Sequence, residues 1–312
     1  MKEFKATAIL NEMGYTSKEA YSLPTSSKRF PDGAQYRFEI PSVEGPVVMK
    51  ALLDELDQKN LSVHRISQGS GIMMLLDKEI EEMCSLASAK NVELSLFVGP
   101  RGTWDISAGT LTPNGKMQAL KHEGIKQITY ALEDLLRAAE LGLRGALIAD
   151  EGLLLIANDL RKQGVLPKDF VFKISAQLMV TNPVTAKLLV ELGADTINVP
   201  SSLSIEKLYE LRQAVDVPFD LYVETPDTLG GFIRYYEVPE MIRVLSPVYL
   251  KMGMRNHPDV YPTGLHLESL NIQLAKERVH RLELCKQMIE RYYPEAVESA
   301  EAATDLGIPQ QV

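Results

Sequence analysis

Cysteine is scarce in this sequence. Of its 312 residues only Cys84 and Cys285 carry a thiol. An iron–sulfur cluster of the usual kind, or a four-cysteine zinc site, needs about four thiolates, so no iron–sulfur cluster is expected. Both cysteines lie in helix-like segments far apart and read as buried free thiols. Basic residues are also in deficit. Lys and Arg number 33 against 42 Asp and Glu, a net charge of −9. A nucleic-acid partner normally requires a basic face, so none is expected. No segment approaches the ~20 apolar residues of a membrane span, and no membrane partner is expected. The opening stretch MKEFKATAILNEMGY is broken by charges. With so few cysteines this points to a reducing, cytoplasmic setting. No H-E-x-x-H, P-loop or G-x-S-x-G motif occurs, and no two histidines stand at H-x-H or H-x-x-x-H spacing.

What is present is a rhythm. Strand-like runs alternate with helix-like runs: YRFEIP, SVHRIS, VELSLFV, GALIAD, FVFKISAQ, DTINVP, FDLYVE and VYLKMG, each followed by a helical pattern. Strict alternation implies a parallel sheet, because each crossover helix returns the chain in the same direction. Eight such units are the number that closes a barrel, so the expected fold is α/β, a (β/α)8 TIM barrel. An open doubly wound sheet would show a G-x-G-x-x-G turn after an early strand, whereas the first turn here is PSVEGP. The barrel is assigned to residues 35–297. An N-terminal arm covers 1–34, with SLPTSSKRFPDG reading as loop, and a polar C-terminal tail covers 298–312. Apolar residues in the arm suggest packing on the barrel or on a second copy, which keeps a homo-oligomer open.

Strands buried on both faces should be almost continuously apolar. These alternate instead. Arg37 and Glu39 oppose Tyr36, Phe38 and Ile40; Lys173, Ser175 and Gln177 oppose Phe172 and Ile174. Thr196 and Asn198 oppose Ile197 and Val199; Asp220, Tyr222 and Glu224 oppose Leu221 and Val223; Lys251, Gly253 and Arg255 oppose Leu250 and Met252. The apolar face must meet the helices, so the polar face points into the barrel. Buried charges are tolerated only when paired or bound. The interior is therefore an ion-pair network or an active site, and the carboxyl ends of the strands are where barrels carry chemistry.

The candidate catalytic groups are Glu39, His64, Asp150 and Glu224, carboxylates near strand ends and a histidine on a strand. They suit acid–base work or, for Asp150 and Glu224, a divalent metal ion. Asp150 reads equally well as the cap of the following helix. The candidate substrate-binding groups are Arg65, Arg101, Lys173, Ser175, Gln177, Asn198, Tyr222, Lys251 and Arg255. Their cations suit an anionic carboxylate or phosphate. Lys173 or Lys251 could alternatively form a Schiff base. The loop GPRGTWD places Arg101 and the single tryptophan over the mouth, and TPDTLGGF and SQGSG offer glycines for backbone approach to an anion.

The segment from Gly145 to about Leu211 resembles the peptidase U32 family. It carries ALIADEGLL, KISAQLMVTNP and ELGADTINVPSSLSIEKLYELR, with Asp150, Gly152, Ser175, Gln177, Asn182 and Gly193 at the family's motif positions. The resemblance implies a barrel fold and, as one alternative, a metal-assisted peptidase. Family members usually have an H-G-x-x-C segment and further cysteines downstream, where this chain has YVETPDTLGG. The R-E-L-S turn of the family is here SSLS. Three readings follow: a U32-like enzyme acting on a small anionic substrate, with hydrolysis, lysis and isomerisation all open; a true U32-type peptidase; and a non-catalytic barrel used for binding or assembly.

Overall fold

A computed structural model describes residues 1–15, 23–99 and 121–311. Eight strands run in chain order around a closed parallel barrel: β1 (Tyr36–Ile40), β2 (Arg65–Gln68), β3 (Glu93–Phe97), β4 (Gly145–Ile148), β5 (Val171–Ile174), β6 (Thr196–Asn198), β7 (Phe219–Glu224) and β8 (Val248–Met252). β8 pairs back onto β1, with Glu39 beside Lys251 and Phe38 beside Leu250, so no strand edge is left open.

The described helices are α1 (Lys5–Glu12), α2 (Pro46–Lys59), α3 (Asp77–Ala89), α4 (Gly124–Glu140), α5 (Glu151–Gln163), α6 (Pro183–Leu192), α7 (Ile205–Ala214), α8 (Val238–Leu245) and α9 (Glu268–Tyr292). All but α1 wrap the barrel. Phe38, Ile66, Leu94, Ile148, Phe172, Ile197, Leu221 and Leu250 point outward from the strands and are fully buried against helical residues such as Leu52, Leu135, Leu208 and Val279. Burial of this kind stabilises by roughly 1.5–3 kcal/mol per large side chain. Among the described residues no helix is long and apolar enough to cross a membrane.

Local chemistry sets the helix ends. Asp150 accepts from the Leu153 backbone N–H at 2.9 Å and starts α5. Asn182 accepts from Thr185 N–H at 2.9 Å and starts α6, with Pro183 in its first turn. Gly193 ends α6 at φ 112°, a left-handed conformation that glycine adopts without steric penalty.

The ends of the chain close the floor of the barrel. Arg37 points down from β1 and donates to Asp305 at 2.9 and 2.6 Å, to Ser299 Oγ at 2.8 Å and to the Tyr249 hydroxyl at 3.0 Å. The Gly307 N–H reaches Glu93 at 3.0 Å. Phe30, from the opposite end of the chain, covers the Arg37 guanidinium at 3.9 Å. The segments read as arm and tail thus supply the amino-terminal lid of the barrel. Of the arm, α1 has no buried residue, while Phe4 beside it packs on Tyr292 and Tyr236, with ring centroids 4.6 and 6.0 Å apart.

Candidate active site

β1 and β5 stand on opposite walls of the eight-stranded barrel, and β2 and β7 lie three strands apart around it. Contacts between such strands can form only through the interior. Lys173 on β5 pairs with Glu39 on β1, and Arg65 on β2 pairs with Asp220 on β7 at 2.8 Å. The polar faces therefore do converge inside the barrel, as their alternation requires.

The cluster is dense. Glu39 takes Lys173, Lys251 at 3.3 Å, Arg65 at 3.3 Å and the Ser67 hydroxyl at 2.6 Å. Asp220 takes Arg65, the Thr196 hydroxyl at 3.0 Å and Lys173 at 3.7 Å. Arg65 also donates to Glu93 and lies 3.6 Å from the centre of the Tyr249 ring. Lys251 stands 4.2 Å over the ring of Tyr222. Oriented by its neighbours, the Asn198 amide accepts from Lys251 at 2.8 Å and donates to the Asp220 carbonyl at 3.1 Å. Gly253 leaves room for Tyr222: a Cβ there would lie 2.8 Å from its ring and 2.2 Å from the Glu224 carbonyl oxygen.

Burial and charge act differently on the members. Burial alone would neutralise Glu39, but Lys173, Lys251 and Arg65 hold its carboxyl well below the usual range. Burial pulls Lys173 down to about 7, helped by the cations Lys251 and Arg65 and opposed by Glu39 and Asp220. Lys251 is kept up despite burial by Glu39 and Tyr222. The result is an ionised carboxylate, one firmly charged ammonium, and one amine able to gain or lose a proton near neutrality. Such an amine can act as base, acid or nucleophile.

Toward the carboxyl ends of β5, β6 and β7 a cleft of about 220 Å³ is lined by Gln177, Ser201, Tyr222, Thr225 and Thr228 among others. Tyr222 joins that cleft to Lys251. A second cleft of about 450 Å³ lies beside α2 and is lined by Glu44, Gln68, Ser70, Lys78 and Thr263 among others.

Other expected site residues lie elsewhere. His64 precedes β2 and faces away from the cluster. Its Nδ1 accepts from the Phe38 N–H at 3.2 Å and its Nε2 meets the Ser299 carbonyl at 2.9 Å, so the ring ties β1 to the tail. Burial lowers its pKa to about 4. Glu224 does not continue the inward row of Asp220 and Tyr222. The β7–β8 register shifts between Tyr222 and Glu224, placing Glu224 beside the outward Met252. This irregularity turns its carboxylate toward α9, where it takes Arg281 and the Tyr235 hydroxyl, each at 3.0 Å. Arg255 pairs with Asp227 at 3.2 Å and donates to the Gly231 carbonyl at 3.0 Å, bracing the loop after β7. Arg101 falls outside the described residues, as does the single tryptophan.

Asp150 and Glu224 are engaged separately among the described residues. Asp150 is engaged by the N–H groups of Leu153 and His122, and Glu224 by Arg281, Tyr235 and the Arg255 N–H. Among the described residues no group of three His, Cys, Asp or Glu side chains could hold a metal ion. The glycine-containing loop after β2 does bind an anion, but an internal one: the N–H groups of Gly69 and Ser70 hold the Glu44 carboxylate at 2.7 and 3.0 Å.

The residues that carry the family resemblance are largely fold-bearing. Asp150 and Asn182 cap helices, Gly193 ends one, and Ser175 accepts from the Gln177 N–H at 3.3 Å in a short 3-10 turn. Gln177, by contrast, lines the smaller cleft. Glu93, Tyr249 and Thr196 belong to the interior network although only Thr196 had stood out in the alternation. Glu93 and Tyr249 were legible by the same rule, each sharing a strand face with a polar residue, Ser95 and Lys251 respectively.

No family model and no curated protein matches the chain. Solved structures do, at the level of fold. A U32 peptidase is 18% identical, with 77% of this chain and 99% of that one covered and a TM-score of 0.43. Thiamine phosphate pyrophosphorylase from Pyrococcus furiosus is 11% identical, covering 82% of this chain and 98% of its own, with a TM-score of 0.44. Identities this low concern the fold alone. The chain is a TIM barrel.

Proposed function

We propose that this TIM barrel is an enzyme of small-molecule metabolism that takes an anionic substrate at the carboxyl ends of its strands. Lys251 and Asn198 receive the negative group, and Lys173 moves a proton under the control of Glu39. The observation that carries the reading is the buried contact of Lys173 with Glu39 across the barrel. Lys173 is fully buried, paired with an ionised Glu39, and held at about 7 where an ordinary lysine stands at 10.5. A pair whose members are driven to different proton affinities is how barrels and other folds divide acid and base roles.

Kinship to the U32 family is kept within this reading on the strength of the Gly145–Leu211 motifs. A metal-assisted peptidase is less well supported, because Asp150 and Glu224 are engaged separately. A purely structural network is favoured by one observation: three cations (Arg65, Lys173, Lys251) face three carboxylates (Glu39, Glu93, Asp220). The two are separated by native mass spectrometry of freshly purified protein. An anionic ligand retained by the wild type and lost from Lys251→Met supports the enzyme reading. A ligand-free or cation-bound wild type contradicts it.

A further inference from the structure

Among the described residues the buried arginines have a carboxylate or several carbonyl partners, with one exception. Arg37 has Asp305, and Arg65 has Glu93, Asp220 and Glu39. Arg212 on α7 lacks a carboxylate but donates to the carbonyls of Val217 at 2.9 Å, Leu245 at 3.4 Å, Pro247 at 3.5 Å and Val215. Arg278 on α9 has no paired carboxylate and a single carbonyl partner. It is 1% exposed, and no carboxylate pairs with it among the described residues. Its only hydrogen bond there is a long one, 3.4 Å, to the Ser42 carbonyl, and its Nε is buried without a partner.

Its position is informative. Ser42 follows the carboxyl end of β1, so the guanidinium reaches from the helix layer to the mouth of the barrel. Burial lowers its pKa, and Tyr261, Tyr222 and Glu44 offset this only in part. Those neighbours also locate it: Tyr222 lines the smaller cleft and touches Lys251, while Glu44 lines the larger one. The Glu44 carboxylate is held by backbone N–H groups of the loop after β2. Asn271, one heptad earlier on the same face of α9, is fully buried with its Oδ1 unpartnered. The inner face of α9 therefore sets two polar side chains, Asn271 and Arg278, among its apolar ones.

A buried guanidinium with no carboxylate in direct contact is costly unless something anionic completes it. We propose that Arg278 is the anchor for an oxyanion, a carboxylate or phosphate group of the substrate, at the barrel mouth between β1 and β7. This deepens the functional reading above and rests on it. Arg278 acts by binding; its forked donors suit a planar or tetrahedral oxyanion better than a lysine would.

The test titrates inorganic phosphate, and separately acetate, into wild type, Arg278→Met, Arg278→Lys and Lys251→Met at constant ionic strength, by calorimetry and thermal melting. The wild type is expected to bind at least one probe. Arg278→Met is expected to weaken it tenfold or more, and Arg278→Lys less. In anion-free buffer Arg278→Met is expected to melt no lower than the wild type, since an uncompensated cation is removed; a merely structural arginine would lower it. Binding kept in Arg278→Met but lost in Lys251→Met overturns the anchor and leaves the functional reading standing. Failure of the wild type to bind either probe overturns both. Should Arg278→Met not fold, the anchor stands or falls on weakening in Arg278→Lys, and undiminished binding there overturns it.

Discussion

The carboxylate of Glu39 and the ammonium of Lys173 meet across the whole width of the barrel, from β1 to β5, with both side chains fully buried. This contact fixes the distance between opposite walls and makes each group's charge depend on the other. Removing one partner leaves the second charge buried. Glu39→Leu is expected to lower stability by about 3–5 kcal/mol. The double variant Glu39→Leu/Lys173→Met should recover part of that loss, because neither charge remains stranded. Urea unfolding of the four proteins measures the difference, and strictly additive losses would remove the coupling.

The depressed pKa of Lys173 has a signed consequence for stability. Folded, the amine titrates at about 7; unfolded, at the ordinary 10.5. Between those values the unfolded chain binds more protons, so this lysine makes stability rise with pH. The burial penalty is fully present below pH 7 and gone above 10.5. Wild type is therefore expected to gain on Lys173→Met as pH increases through that window. Denaturant midpoints compared from pH 7 to 10 give the slope, and parallel curves would contradict it.

His64 predicts an acid limb. Burial lowers its pKa from 6.5 to about 4, so the stability it supports is present above pH 6.5 and is lost as pH falls toward 4. The full loss is about 3 kcal/mol on the scale of 1.36 kcal/mol per unit. His64→Gln should flatten this limb without altering binding at the barrel mouth.

The tail offers a test of the floor. Asp305→Ala removes the ionic partner of Arg37, which is 1% exposed. A loss of about 2–4 kcal/mol is expected, with ligand affinity of the folded protein unchanged. Chemical unfolding together with ligand titration separates the two effects, and an affinity change comparable to that of Lys251→Met would show that floor and mouth are coupled.

The barrel was legible because parallel closure leaves a strong periodic trace: eight strands with an apolar face, alternating with helical patterns. Asp150, with its D-E-G-L setting, could be read as a cap or as a site residue, and the geometry shows the cap. The convergence of Glu39, Lys173, Asp220 and Lys251 followed from alternation alone. Glu224 did not, since a single register shift reverses the face of every residue beyond it and leaves no mark in composition. His64 appeared to belong to a strand that begins one residue later. Arg278 was visible as an arginine in the apolar stripe Leu274, Ala275, Val279, Leu282 and Cys285, but a long side chain on a helix is ordinarily read as snorkelling to solvent. The arm and tail looked peripheral because their polar residues meet groups inside the barrel floor, distant in sequence.

Turnover is the most direct test of the central claim. Wild type, Lys173→Met and Lys251→Met are incubated with a mixture of carboxylate and phosphate metabolites, and each compound is followed by mass spectrometry. The account predicts that the wild type consumes one anion or a small related set, and that both folded variants do not. Consumption of none by the wild type, together with greater stability of Lys173→Met, would contradict it and leave the cluster as an internal brace.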